Sequence, residues 1–341
     1  MAEYIEIKGS LVPSLASDPS NPIEGQVWYN TTSAVLKGRA AIPAGAWSSG
    51  GDVNTARYNV CGSGASNTAA LFFAGYTTPP AVYYAETESY DGTTWTEVAN
   101  LNRAGGRGNS MGFGSQTSSI IAGGNPPTTT ALTESWNGTS WTEVNDLTTG
   151  RDTMKGGGTS AAGGITFGGG IGTPPSANFY LKLTEVWDGT SWSEVGDLNI
   201  GRQQMASAAQ GSSTANLCIA GELDVPYSPR TASYVESWNG TSWTEGVDIN
   251  TERKNMAGSG IQTDALIFGG DVPAGALANT EAWNGTSWTE VADIATARFA
   301  TAGSGTGANA IVMGGNIPPA SALTEEWNSP AGTETVTFTD S

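Results

Sequence analysis

The side chains that could do chemistry in this chain are few, and most of them are repeated. Histidine is absent, which removes the commonest general base, the commonest metal ligand and every Ser/His/Asp or Cys/His relay. Cys61 and Cys218 are the only cysteines, too few for a four-sulfur zinc site or a disulfide framework, and they read as small core residues. No Asp-x-Asp-x-Asp-Gly calcium loop occurs, so neither a metal nor another cofactor is expected. Arginine recurs at Arg57, Arg151, Arg202, Arg253 and Arg298, each ten residues after a Trp (Trp47, Trp141, Trp192, Trp243 and Trp288). Five arginines at one repeated position would make an anion site or a structural set; the repetition favours the structural role. In each of the five hairpin phrases two aromatics sit five apart, both Trp except where Tyr90 precedes Trp95. A sugar platform and core packing both use Trp, but one pair per repeat at fixed spacing is what packing between units requires. Asn137, Asn239 and Asn284 match the glycosylation pattern, yet Asp91 and Asp188 occupy the same place in other copies, so turn geometry explains both residue types.

The elements that position these residues follow from one recurring phrase: TESYDGTTWTEV (87–98), TESWNGTSWTEV (133–144), TEVWDGTSWSEV (184–195), VESWNGTSWTEG (235–246) and TEAWNGTSWTEV (280–291). Each is two short runs joined by Asn-Gly or Asp-Gly, which predicts a β-hairpin with a tight turn. Upstream lie apolar runs ending in glycine, with the first Gly at 75, 123, 168, 221, 269 and 314, and before each run a stretch rich in Gly, Ala and Ser suits a strand crowded against another backbone. Six units of four strands result. The 47 glycines and 13% charged residues argue against a coiled coil or charged bundle, and 38% hydrophobic residues with 12 Trp supply a core. The formal charge of −18 opposes nucleic-acid and anionic-membrane binding. The first residues, MAEYIEIKGS, lack a signal-peptide pattern, and no run reaches the length of a membrane span.

Four short strands every 45–50 residues is the pattern of a β-propeller blade. The order Arg, small-residue strand, apolar strand, Gly-Gly, then two aromatics resembles the kelch family, with Arg151, Gly168, Gly169, Trp187 and Trp192 as one full set and Tyr76 and Glu222 in place of the second Gly in two units. The resemblance covers residues 47–328 and implies an all-β, six-bladed kelch-like propeller in which each repeated Arg pairs with an acidic residue of a neighbouring blade. The sixth unit has Trp327 but no second Trp, while GAWSSGGDVNTAR near the start supplies a fourth strand without its blade; pairing the two closes the ring. One unit departs: the tenth residue after Trp95 is Gly105, flanked by Arg103 and Arg107.

Residues 1–46 lie outside the repeat and contain YIEIK, the turn region SDPSNP and a hairpin in EGQVWYNTTSAVLKGR. This segment resembles leaders of bacteriophage tail-fibre and other virion proteins, and its combination with low-charge Trp-Asn-Gly-Thr units resembles marine phage structural proteins. The resemblance implies an anchoring segment, 1–46, that binds other virion proteins. It is followed by the propeller, 47–328, and a tail, 329–341, whose ETVTFTD is expected to pair with YIEIK. Localisation to the virion, after assembly in the host cytoplasm, follows from it.

The connection between the second and third strands varies in length while the hairpins do not, and loops on a rigid scaffold carry recognition. Tyr83, Tyr84, Phe179, Tyr180, Tyr227 and Arg230 cluster there and are the candidate receptor contacts, for a host-surface glycan or protein; packing of the loops onto the propeller is the competing role. The expected function is a non-enzymatic tail fibre or adhesin, a homotrimer if a fibre, with a capsid decoration or head-fibre protein as the alternative. Six-bladed propellers include sialidases and galactose-oxidase-like copper enzymes, but the copper chemistry needs His. The stretch from Ser89 to Trp95 is one residue short of the sialidase Asp-box.

Overall fold

Short apolar runs broken by Gly, Asn and Asp make strands. In the computed structural model every regular element among the described residues is a β-strand. The described residues are 12–19, 26–41, 45–103, 105–125, 128–172, 179–223, 231–329 and 333–338. The chain forms two compact units, Met1–Ala44 with Pro330–Ser341, and Gly45–Ser329.

The larger unit is propeller-like, a succession of small antiparallel sheets. The first sheet is Cys61–Ser66, Ala69–Phe73, Thr87–Tyr90 and Trp95–Val98, paired in that order. The second is Met111–Ser115, Ser118–Ala122, Thr133–Trp136 and Trp141–Val144, and the third Lys155–Ser160, Gly163–Phe167, Thr184–Trp187 and Trp192–Glu194. In the fourth the first strand is broken into Arg202–Gln203 and Ala206–Ser207, before Asn216–Leu223, Thr231–Trp238 and Trp243–Glu245. Ala257–Ile261, Asp264–Phe268, Thr280–Trp283 and Trp288–Val291 make the fifth. The sixth takes Ala302–Gly305, Asn309–Met313 and Thr324–Asn328 from the end of the unit and Ala46–Ser49 from its start, with Trp327 opposite Trp47.

First strands of successive sheets touch one another from Cys61–Ser66 round to Ala302–Gly305, which also touches Cys61–Ser66. The core lies between consecutive sheets. Ile165, Phe167 and Leu198, for example, pack with Met205, Cys218, Trp238 and Trp243 across the third and fourth. Each such Phe or Trp contributes about 1.5–3 kcal/mol by leaving water.

The hairpin turns are longer than the tight two-residue form expected. Trp136 pairs with Trp141, so four residues form the turn. Asn137 Oδ1 accepts the N–H groups of Thr139 and Ser140 at 2.9 Å each, and only Gly138 takes a positive φ, +95°. The side chain substitutes for a backbone acceptor, which Asp91 and Asp188 do equally well.

In the smaller unit Val27–Asn30 is antiparallel to Val35–Ala41, which pairs in turn with Thr333–Phe338. The C-terminal strand therefore has Val35–Ala41 as its observed partner; residues 4–8, its expected partner, lie outside the described residues.

Candidate functional site

The repeated arginines are consumed by the framework. Arg57, Arg107, Arg151, Arg202, Arg253 and Arg298 are all fully buried, and each is paired with a glutamate: Arg57 with Glu88 at 3.0 Å, Arg107 with Glu134 at 3.0 Å, Arg151 with Glu185 at 2.7 Å, Arg202 with Glu236, Arg253 with Glu281 at 2.8 Å and Arg298 with Glu325 at 2.7 Å. The expectation of a partner in a neighbouring unit is corrected here. Each glutamate stands on the third strand of the sheet whose first strand follows the arginine or, for Arg202, begins with it, because the Arg side chain folds back over its own sheet. The second carboxylate oxygen accepts a backbone N–H of the incoming connection, from Asn54, Asn102, Thr148, Asn199, Asn250 and Ala295. Burial pulls the guanidinium of Arg151 below its usual range, against the pull of Glu185. The departing unit resolves to Arg107, two residues late, and not to the position of Gly105.

The arginine backbone makes the link between sheets. Its carbonyl accepts the N–H of the glycine that ends the second strand of the preceding sheet: Gly75 to Arg107, Gly124 to Arg151, Gly169 to Arg202, Gly221 to Arg253, Gly270 to Arg298 and Gly315 to Arg57. This corrects the reading of the Gly-Gly pair. Gly75 and Gly221 are its second members, at φ +95° and +103°, and the first member is Ala74 or Ala220, at φ +60° and +56°. The left-handed position tolerates Ala at a cost, whereas φ near +100° is glycine territory.

The tryptophans staple sheet to sheet. Trp95, Trp141, Trp192, Trp243 and Trp47 donate their indole N–H to Thr324, Thr87, Thr133, Thr184 and Thr280, each on the third strand of the preceding sheet. Trp288 donates to the Val247 carbonyl, since Val235 replaces the threonine. All of these rings are hydrogen-bonded, and all but the partly buried Trp47 are buried, so the buried ones offer no sugar platform.

The candidate loop aromatics separate into distinct environments. Tyr83 is half-buried in a short ribbon, Tyr76–Thr77 with Val82–Tyr83, its ring 5.0 Å from Tyr76, which lies 4.6 Å from Tyr58. Val82 beside it is exposed. Tyr84 is built into the scaffold: its N–H reaches the Gly75 carbonyl, its own carbonyl accepts from Arg107, and its ring lies 5.6 Å from the Arg57 guanidinium. Phe179 and Tyr180 are half-buried and pack edge to face at 4.8 Å. Tyr227 and Arg230 lie outside the described residues. Tyr234 and Val247, not anticipated from sequence, are exposed apolar side chains at the same end of the sheets.

Two residues ahead of each first strand, or in its break in the fourth sheet, lies an arrangement that sequence reasoning passed over. Asn59, Asn109, Thr153, Gln204, Asn255 and Ala300, one per sheet, all have φ between 51° and 57°. Their backbone N–H groups bond head to tail: Asn109 to Asn59, Thr153 to Asn109, Gln204 to Thr153, Asn255 to Gln204, Ala300 to Asn255 and Asn59 to Ala300, at 2.8–3.1 Å. Two adjoining cavities of about 30 Å³ lie there, and Lys155 lines both. At the other end of the strands Gln210 is buried, its Nε2 donating to the carbonyls of Gly64 at 2.8 Å and Gly114 at 3.1 Å and its N–H to Gly260. The sequence signal for Lys155 is its place: Cys61, Met111, Ala206, Ala257 and Ala302 hold the same register position in the other units. No protein-family model matches this chain, and no curated protein sequence matches it significantly.

Proposed function

We propose that the chain is a six-bladed kelch-like propeller that acts as a non-enzymatic binding protein of a phage virion, an adhesin gripping a host-surface glycan or protein through its loop end. The head-to-tail hydrogen bonds through Asn59, Asn109, Thr153, Gln204, Asn255 and Ala300 and the completion of the sixth sheet by Ala46–Ser49 support the six-bladed ring. The observation that carries the binding role is the distribution of exposed apolar side chains. Of the four large ones among the described residues, Val82, Tyr234 and Val247 stand at the loop end and Ile261 at the other. Tyr83 adds a half-buried ring in the same loop region as Val82. Tyrosines held in place by neighbouring rings provide contact area with little entropy left to lose, which suits recognition. The framework arginines and tryptophans are unavailable for it.

The virion placement rests on the resemblance of residues 1–46. The test is adsorption to host cells of particles carrying Tyr83→Ala with Val82→Ser, beside particles carrying Ile261→Ser. Loss of adsorption in the first and not the second supports the adhesin. Normal adsorption by folded, incorporated double mutants overturns it, and a position on the capsid lattice makes the chain a decoration protein.

A further inference from the structure

A buried cation needs a counter-charge, and the framework supplies one to each of its six arginines. Lys155 is the exception. It is partly buried where the other units place Cys, Met or Ala, it lines both central cavities, and among the described residues no carboxylate lies within ion-pair distance of it. Thr301, which lines the second of these cavities with it, is 2% exposed and its hydroxyl has no partner. A hydroxyl can turn its hydrogen toward an acceptor.

We propose that Lys155 and Thr301 hold a small monovalent anion, of halide size, in the centre of the first strands. The ammonium supplies the charge and the hydroxyl a directed donor. Size follows from the cavities: at about 30 Å³ each they take on the order of two water-sized particles apiece, which excludes a sugar or a nucleotide. The charge is that of the Lys155 ammonium, which burial by itself disfavours and which an anion beside it would favour again. Gln210 ties the far end of the strands together, so the ion enters past the side chains of Asn59, Thr153 and Gln204. The anion would thus lock the third and sixth sheets to a common centre.

The test uses the full chain and sodium bromide, at ionic strength held constant with sodium sulfate. Thermal unfolding of the wild type should rise by about 2 °C for each tenfold increase in bromide above saturation. Lys155→Met, which places at this position the residue found at Met111, should show no rise. An equal rise in both proteins, or none in the wild type, overturns the proposal. If the variant fails to fold, crystals of the wild type grown in bromide decide by anomalous scattering: a peak in contact with Lys155 Nζ supports the site, and peaks only elsewhere overturn it.

Discussion

Replacing Glu185 with leucine tests whether the buried ion pairs hold the sheets in place. Both side chains of the Arg151 pair are 0% exposed, with 2.7 Å between Nη1 and Oε1, and the other carboxylate oxygen accepts the Thr148 N–H at 2.8 Å. Nε and Nη2 of Arg151 have no hydrogen-bond partner. Glu185→Leu therefore strands a guanidinium away from water, worth about 3–5 kcal/mol, and frees a partly buried N–H, worth about 1 kcal/mol or more. A total of roughly 4–6 kcal/mol rivals the whole stability of many domains. Arg151→Met leaves the carboxylate with its Thr148 bond and should cost about 3–5 kcal/mol. The double variant has no buried charge left and should cost no more than either single variant, giving a coupling of about 4 kcal/mol or more. Urea unfolding followed by tryptophan fluorescence measures all four corners of the cycle. Single variants costing under about 1 kcal/mol, or effects that add within about 0.5 kcal/mol, would show that the pair is solvated and that the reasoning fails.

Trp192→Ala should destabilise by about 3–5 kcal/mol through lost transfer energy and a cavity, and near-wild-type unfolding would contradict the packing of this ring. Asp18 accepts from Trp28, Asn30 and Lys37, and these bonds, that from Lys37 foremost, hold its pKa at about 2 against the usual 3.8. A depressed acid stabilises the fold above its unfolded value and loses that contribution as pH falls through the folded value. Trp28 fluorescence should thus hold down to about pH 4 and change between about 4 and 2, a change abolished in Asp18→Asn; an unchanged titration in that variant refutes the assignment. Deleting residues 1–53 removes Ala46–Ser49 and bares the edge of Thr324–Asn328. Light scattering should detect association through that edge, and a monodisperse product as stable as the full chain would refute the closure.

Much of the framework was legible because it is periodic. The hairpin phrase, the step from Trp to Arg and the unpartnered fourth strand at Trp47 are local patterns repeated along the chain, and a repeated pattern must satisfy the same packing each time. Length variation likewise pointed to the loops around Tyr83. Glycine was legible only in part. The Gly-Gly pair is a statement about φ, and in two units Ala74 and Ala220 hide its first member.

What the residues determine alone is the strand pattern, the four-strand unit and the burial of Trp, since these depend on spacing within about a dozen residues. Only tertiary structure decided that Arg107 and not its neighbours enters the framework, and that every Arg turns to a glutamate of its own sheet. Gln210 reaches carbonyls 146 and 96 residues away, and Lys155 and Thr301, far apart in the sequence, line one cavity. Such contacts have no local period to announce them. They arise where the first strands of different sheets touch, so that a single departure from the repeat faces residues from distant parts of the chain.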